Sequence, residues 1–182
     1  MQKAKQRSEI AQQDKWRTED IYATDEAWEA DYNECIRRAK EKCVYQGRLA
    51  ESALILYQAL KESDEADLLV EHVYVYAFMK YYEDTANAVY QEMSGRAQAA
   101  VTKLTEKYAF LTPEILAIDQ KKMQEYLNSD TLALYRHALE DILAKKEHAL
   151  SEKEERLLAM AGQVTASPNE IFSKFNNADV KF

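Results

Sequence analysis

The chain has 182 residues, with 24 Lys and Arg against 32 Asp and Glu, a net charge of −8 and a hydrophobic share of 47%. That share supports a real core and excludes wholesale disorder, and the acidic balance argues against broad binding to a nucleic-acid backbone. Average usage would give roughly 13 Gly and 9 Pro in a chain this long, but there are three and two, too few tight turns for a β-rich fold.

Residues 1–15 are polar and aperiodic, with no apolar h-region, and are expected to form a poorly ordered lead-in rather than a secretory signal. Thr24 is a predicted N-cap, followed by the acids Asp25 and Glu26 where the helix dipole favours them. Trp28, Tyr32, Cys35, Ile36, Ala39 and Cys43 then fall on one helical stripe, and Gly47 lies at or beyond its end. On one helix the two cysteines stand about 12 Å apart, beyond disulfide reach, which suits a reducing cytoplasm.

Ser52 is expected to cap a second helix through Ile55, Leu56, Ala59 and Leu60. Ser63 or Asp64 caps a third through Leu68, Leu69, Val73, Tyr76 and Ala77, which is apolar nearly all round and therefore expected to be contacted on several sides. The longest strictly apolar run, Val73 to Met79, is far too short to span a bilayer, so no membrane partner is expected. A fourth helix is predicted from after Asp84 to about Leu111, through Val89, Met93, Ala97, Ala100, Leu104 and Tyr108, with Gly95 inside it as a candidate for close helix approach.

Thr112-Pro113-Glu114 predicts a helix start with Pro at the first helical position, and a further short piece surrounds Met123 to Leu127. Asp130 is expected to cap a helix bearing Tyr135, Ala138, Leu139, Ile142 and Leu143. Ser151 with Glu154 forms a capping box, and Ser167, Pro168 and Glu170 repeat the device ahead of Ile171, Phe172 and Phe175. The sum is an all-α multi-helix bundle of about eight or nine helices with short connections.

Residues that could carry chemistry are few. His137 and Glu140 stand i, i+3 and could face one ligand, but the stripe Tyr135–Leu139–Ile142 turns His137 toward solvent. His72 lies in the apolar third helix and is expected in the core or at an interface; His148 is placed to bond the preceding helix's last carbonyls. There is no H-E-x-x-H, no Gly-rich phosphate loop, no G-x-S-x-G and no C-x-x-C. No catalytic, cofactor-binding or metal-ligating residue is therefore assigned. The unusual residue is tyrosine, twelve in all. Tyr74, Tyr76, Tyr81 and Tyr82 gather with Phe78 on the third helix, where they either line a peptide-binding wall or belong to the core and its boundary.

Several stretches carry a resemblance to one family. They include Asp14-Lys15-Trp16 with Glu19-Asp20-Ile21-Tyr22, and Phe110 to Ile115. Tyr135 to Glu140 and His148 to Ser151 with Glu154 to Leu158 add to them. Most specific is Glu170-Ile171-Phe172-Ser173 leading to Asn176-Asn177-Ala178-Asp179-Val180-Lys181-Phe182. Together these stretches resemble the oligoendopeptidase F family, and the resemblance implies a mostly helical cytoplasmic zinc endopeptidase that cleaves oligopeptides in a deep channel, with two histidines of H-E-x-x-H and a downstream Glu as ligands. Those groups belong to the family's C-terminal part, and none can be carried onto this chain. Residues 16–182 are accordingly expected to be the helical N-terminal domain, with a subdivision near residue 112. Its expected partner is the C-terminal catalytic domain of the same protein, with oligopeptide substrate and zinc in the parent enzyme and self-association of the segment alone. A self-standing helical module that binds a peptide or protein is the alternative.

Overall fold

The computed structural model describes residues 9–85 and 87–148, together with Pro168, Ile171, Phe172 and Phe175. Two compact units divide the chain, one of Lys5–Leu143 and one of Met1–Ala4 with Ala144–Phe182. In the second unit, Pro168, Ile171 and Phe172 are helical and, like Phe175, exposed; the Ser151 capping box lies outside the described residues.

The first unit holds α1 (Asp25–Lys40), α2 (Ala53–Glu83), α3 (Ala88–Tyr108), α4 (Leu111–Ala117), α5 (Gln120–Leu127) and nearly all of α6 (Arg136–Ala144), with short 3-10 turns between. No strand occurs among the described residues, as the scarcity of glycine and proline implied. The six helices are fewer than the eight or nine expected. Two merge into one, and the two predicted after Ser151 and Ser167 fall almost wholly outside the described residues.

The merger is α2, which runs unbroken through Ser63 and Asp64. Neither Gly nor Pro lies in it, and an interior Ser or Asp costs a helix under about 1 kcal/mol. Against that, buried Ala59, Ser63, Ala66, Val70 and Val73 continue one stripe. Its start is as predicted, with Ser52 Oγ accepting from the Ile55 N–H at 3.2 Å. Thr24 likewise caps α1, accepting from the Ala27 N–H at 3.2 Å.

α1 ends earlier than its stripe suggested. Glu41 turns extended, and the Lys107 ammonium donates to the Arg38 carbonyl at 3.0 Å, satisfying one of the terminal acceptors. Cys43 therefore does not share a helix with Cys35; the chain folds back and buries both in the same core as free thiols. Gly47 closes this turn with φ of 81°, a left-handed geometry that glycine adopts without a Cβ penalty.

Other boundaries shift for local reasons. Ala109 and Phe110 both stay in the helical region, so the chain enters α4 at Leu111. Thr112 is not its cap, and Pro113 sits within the first turn, where no backbone donor is needed. Ser129 rather than Asp130 caps the next segment, accepting from the Thr131 N–H at 3.2 Å, and that segment is a 3-10 turn that becomes α6 only at Arg136.

α1, α2 and α3 pack on one another. Their core joins Trp28 and Cys35 to Val73, Tyr76, Ala97 and Leu104. A second core lies around the N-terminal half of α2, where Leu56 and Ala59 meet Leu49, Ile115, Leu132 and Leu139. α2 belongs to both and is the spine of the unit. Gly95 does not mark a close approach, because a Cβ there would meet nothing within 4 Å. Gly95→Ala is therefore expected to stabilise the protein by about 0.5–1 kcal/mol, read as a higher urea midpoint with an unchanged slope.

Candidate functional site

α2 has two unlike sides. Toward α1 and α3 it presents Val70, Val73, Tyr76 and Ala77, all buried. On the opposite side Leu68 is 57% exposed, Val75 37% and Tyr82 61%. These three recur every seven residues and so lie along one line of the helix. The apolar-all-round pattern had suggested contact on several sides; one of those sides is open.

Aromatic side chains broaden the open side. Tyr74 and Phe78 have ring centroids 4.2 Å apart, and Phe78 stands 6.0 Å from Tyr82 and 6.4 Å from Tyr81. Tyr74, Phe78 and Tyr81 are half-buried. Tyr76 leaves this group altogether: it is a core residue whose hydroxyl donates to Asp25 at 2.7 Å. Tyr76 thus belongs to the core, Tyr74, Phe78 and Tyr81 to its boundary, and Tyr82 is exposed.

Along the same helix, Asp64, Asp67 and Glu71 precede the aromatics. Partial desolvation, then the carboxylates of Asp64 and Glu71, hold the Asp67 carboxyl above its ordinary range. His72 beside them is exposed and so not a core histidine.

The remaining candidates do not converge. His137 faces solvent on α6, with Asp141 3.7 Å away, and Glu140 is exposed as well. Burial raises the Cys35 thiol to about 11, which leaves it protonated and unreactive near neutral pH. No three His, Cys, Asp or Glu come together to hold a metal among the described residues. Nor, among those residues, is any helix long and apolar enough to cross a membrane. A cleft of about 730 Å³ where α1 and α3 end mixes lysines such as Lys40 and Lys103 with Glu41 and Glu106. Its four lysines outnumber its two glutamates, and of the four Lys107 is already bonded to the Arg38 carbonyl and paired with Glu62.

One functionless-looking residue proves structural. Both carboxylate oxygens of Glu114 accept backbone N–H bonds, from Gly47 at 2.9 Å and Leu49 at 2.7 Å, tying α4 to the turn before α2. The Thr-Pro-Glu signal predicted a helix start here but carried no hint of this clamp.

The comparisons with known proteins agree with one another. The family model described as Oligopeptidase F matches residues 114–182. Oligopeptidase PepF of Bacillus subtilis is 41% identical over 97% of this chain, which covers 26% of that protein. An oligoendopeptidase F homolog of Lactococcus lactis is 40% identical over 98% of the chain, covering 30% of its own length. Among solved structures, oligoendopeptidase-F from Enterococcus faecium superposes with a TM-score of 0.71 at 30% identity. That match covers 86% of this chain and 30% of the other. A Chlamydophila abortus protein, 22% identical, shares the fold with a TM-score of 0.74 over 99% of this chain and 31% of its own. The chain spans less than a third of the length of these relatives, and by sequence and fold together it is similar to the oligoendopeptidase F family.

Proposed function

We propose that this chain is the N-terminal, substrate-confining domain of a cytoplasmic zinc endopeptidase that hydrolyses oligopeptides, and that it has no activity alone. The observation that carries the reading is the coverage: nearly all of this chain aligns, yet it accounts for only 26–30% of each of those two curated relatives. The relatives' names supply the oligopeptide substrate class. Zinc, when bound, would polarise a scissile carbonyl and activate water. The described residues do not fit such a centre, so no catalytic step is assigned to them. Their contribution is a rigid helical wall, with α2 as its spine and one apolar side left for a covering element.

The test is reconstitution. The 182-residue chain with added zinc is expected to turn over no quenched oligopeptide, whereas co-expression with the remaining portion of Bacillus subtilis PepF restores turnover. Cleavage by this chain alone, or tightly held stoichiometric metal, would overturn the reading. The open side of α2 also supports a second reading, a self-standing helical binding module; under it, co-expression yields no activity although the chain binds a peptide or protein. Under either reading the same side is expected to drive weak self-association at high protein concentration, strengthened by salt as its acids are screened.

A further inference from the structure

We infer that the open side of α2 is a docking seam for a cationic amphipathic helix. Leu68, Val75 and Tyr82 step by seven residues, and in a straight helix each such step drifts by about 20°, so the apolar line winds gently to the left. A second helix follows such a line when it crosses at about 20° with its own seven-residue apolar repeat. Phe78 and its neighbouring rings widen the seam at one end, giving large anchors with little rotamer entropy to lose.

Charge selects the partner. α2 carries six acidic residues against two lysines. Neither lysine answers the acids beside the seam: Lys61 pairs with Glu65 at 3.8 Å, and Lys80 lies over the rings of Tyr76 and Tyr90, 5.4 Å from each centroid. Asp67 and Glu71 therefore flank the apolar line as a negative edge. A second copy of α2 would bring the same negative edge against it, a like-charge pairing that costs specificity and affinity. A helix with Lys or Arg beside its apolar repeat meets complementary charge.

The inference rests on the open side of α2 being an interface, as proposed above, and not on the peptidase assignment, which reconstitution tests separately. Three synthetic helical peptides would be titrated into the 182-residue chain by calorimetry. One carries Leu and Phe at seven-residue spacing flanked by Lys and Arg, the second has the same apolar repeat flanked by Glu, and the third is a scrambled cationic sequence. The first is expected to bind one-to-one and at least about tenfold more tightly than either other peptide, weakening as salt rises. Val75→Asp and Tyr82→Ser, both at exposed positions, are expected to weaken that binding by about tenfold or more while leaving helical circular dichroism unchanged. Glu71→Lys is expected to narrow the preference for the cationic peptide. Equal binding of the scrambled or Glu-flanked peptide, no binding of any, or unchanged binding by Val75→Asp would each overturn the inference. So would a salt-insensitive dimer of the chain that excludes the first peptide.

Discussion

Trp28→Ala is expected to destabilise the protein by about 3–5 kcal/mol, the range for removing a buried aromatic side chain. Trp28 is wholly buried at the meeting of α1, α2 and α3. Its indole N–H donates to the Val73 carbonyl at 2.8 Å, pinning α1 to α2 across 45 residues of sequence. One face stacks on Tyr32, with centroids 5.3 Å apart and planes 13° from parallel. The Arg96 guanidinium of α3 lies 4.2 Å from the Tyr32 centroid and 5.2 Å from the Trp28 centroid, and is itself paired with Glu29. Alanine would remove the stack, part of the cation–π contact, the hydrogen bond and the volume together. Trp28→Phe separates these contributions. It keeps much of the volume and forfeits the N–H bond, while the Val73 carbonyl retains a helical donor, so a loss of about 1–2 kcal/mol is expected. Urea unfolding followed by circular dichroism measures both. A cost below about 1 kcal/mol for the alanine variant would show that α1 docks without this anchor.

Local signals made much of this fold legible. Thr24 and Ser52 cap their helices as read, because a cap is decided within three residues. The buried stripe of α3, from Met93 to Tyr108, follows from its three-and-four spacing. What failed to be legible depended on partners far along the chain. α1 stops at Lys40 although Cys43 extends its periodicity, since the terminal carbonyl finds Lys107 and the thiol finds the core by a turn. Ser63 and Asp64 looked like caps, but tertiary packing of α2 on both cores outweighed that preference. For the candidate site, the residue pattern showed that the segment from Ser63 to Lys80 is apolar nearly all round, and only packing shows which side stays uncovered. Glu114 bonds backbone 65 and 67 residues away, a contact with no local signature.

The tyrosines show the same dependence on distant partners, and they set the response to alkali. Four buried phenols each donate a hydrogen bond to a carboxylate. Tyr22 donates to Asp31 at 2.8 Å and Tyr76 to Asp25 at 2.7 Å. Tyr108 donates to Glu62 at 2.9 Å and Tyr135 to Asp64 at 2.6 Å. Burial first, and then the bond to the adjacent anion, push all four well above the ordinary tyrosine range. Losing the proton would set a phenolate against a carboxylate within hydrogen-bond distance. The unfolded chain releases these protons near pH 10, whereas the folded chain holds them, so stability falls as pH rises above that value. Each tyrosine contributes about 1.4 kcal/mol per pH unit, and the four together about 5–6. For a domain with an ordinary stability of 5–15 kcal/mol, unfolding is expected within about one to three units above pH 10. Phenolate absorbance and helical circular dichroism recorded along one alkaline titration would show it. The four bonded tyrosines are expected to ionise with the loss of helix in a single steep step. Tyr135→Phe removes one of the four titrating groups, so it is expected to move that step to higher pH while costing about 1 kcal/mol near neutrality. If all twelve tyrosines ionised smoothly near pH 10 with the helices intact, the four carboxylate bonds would not be holding protons in the folded state.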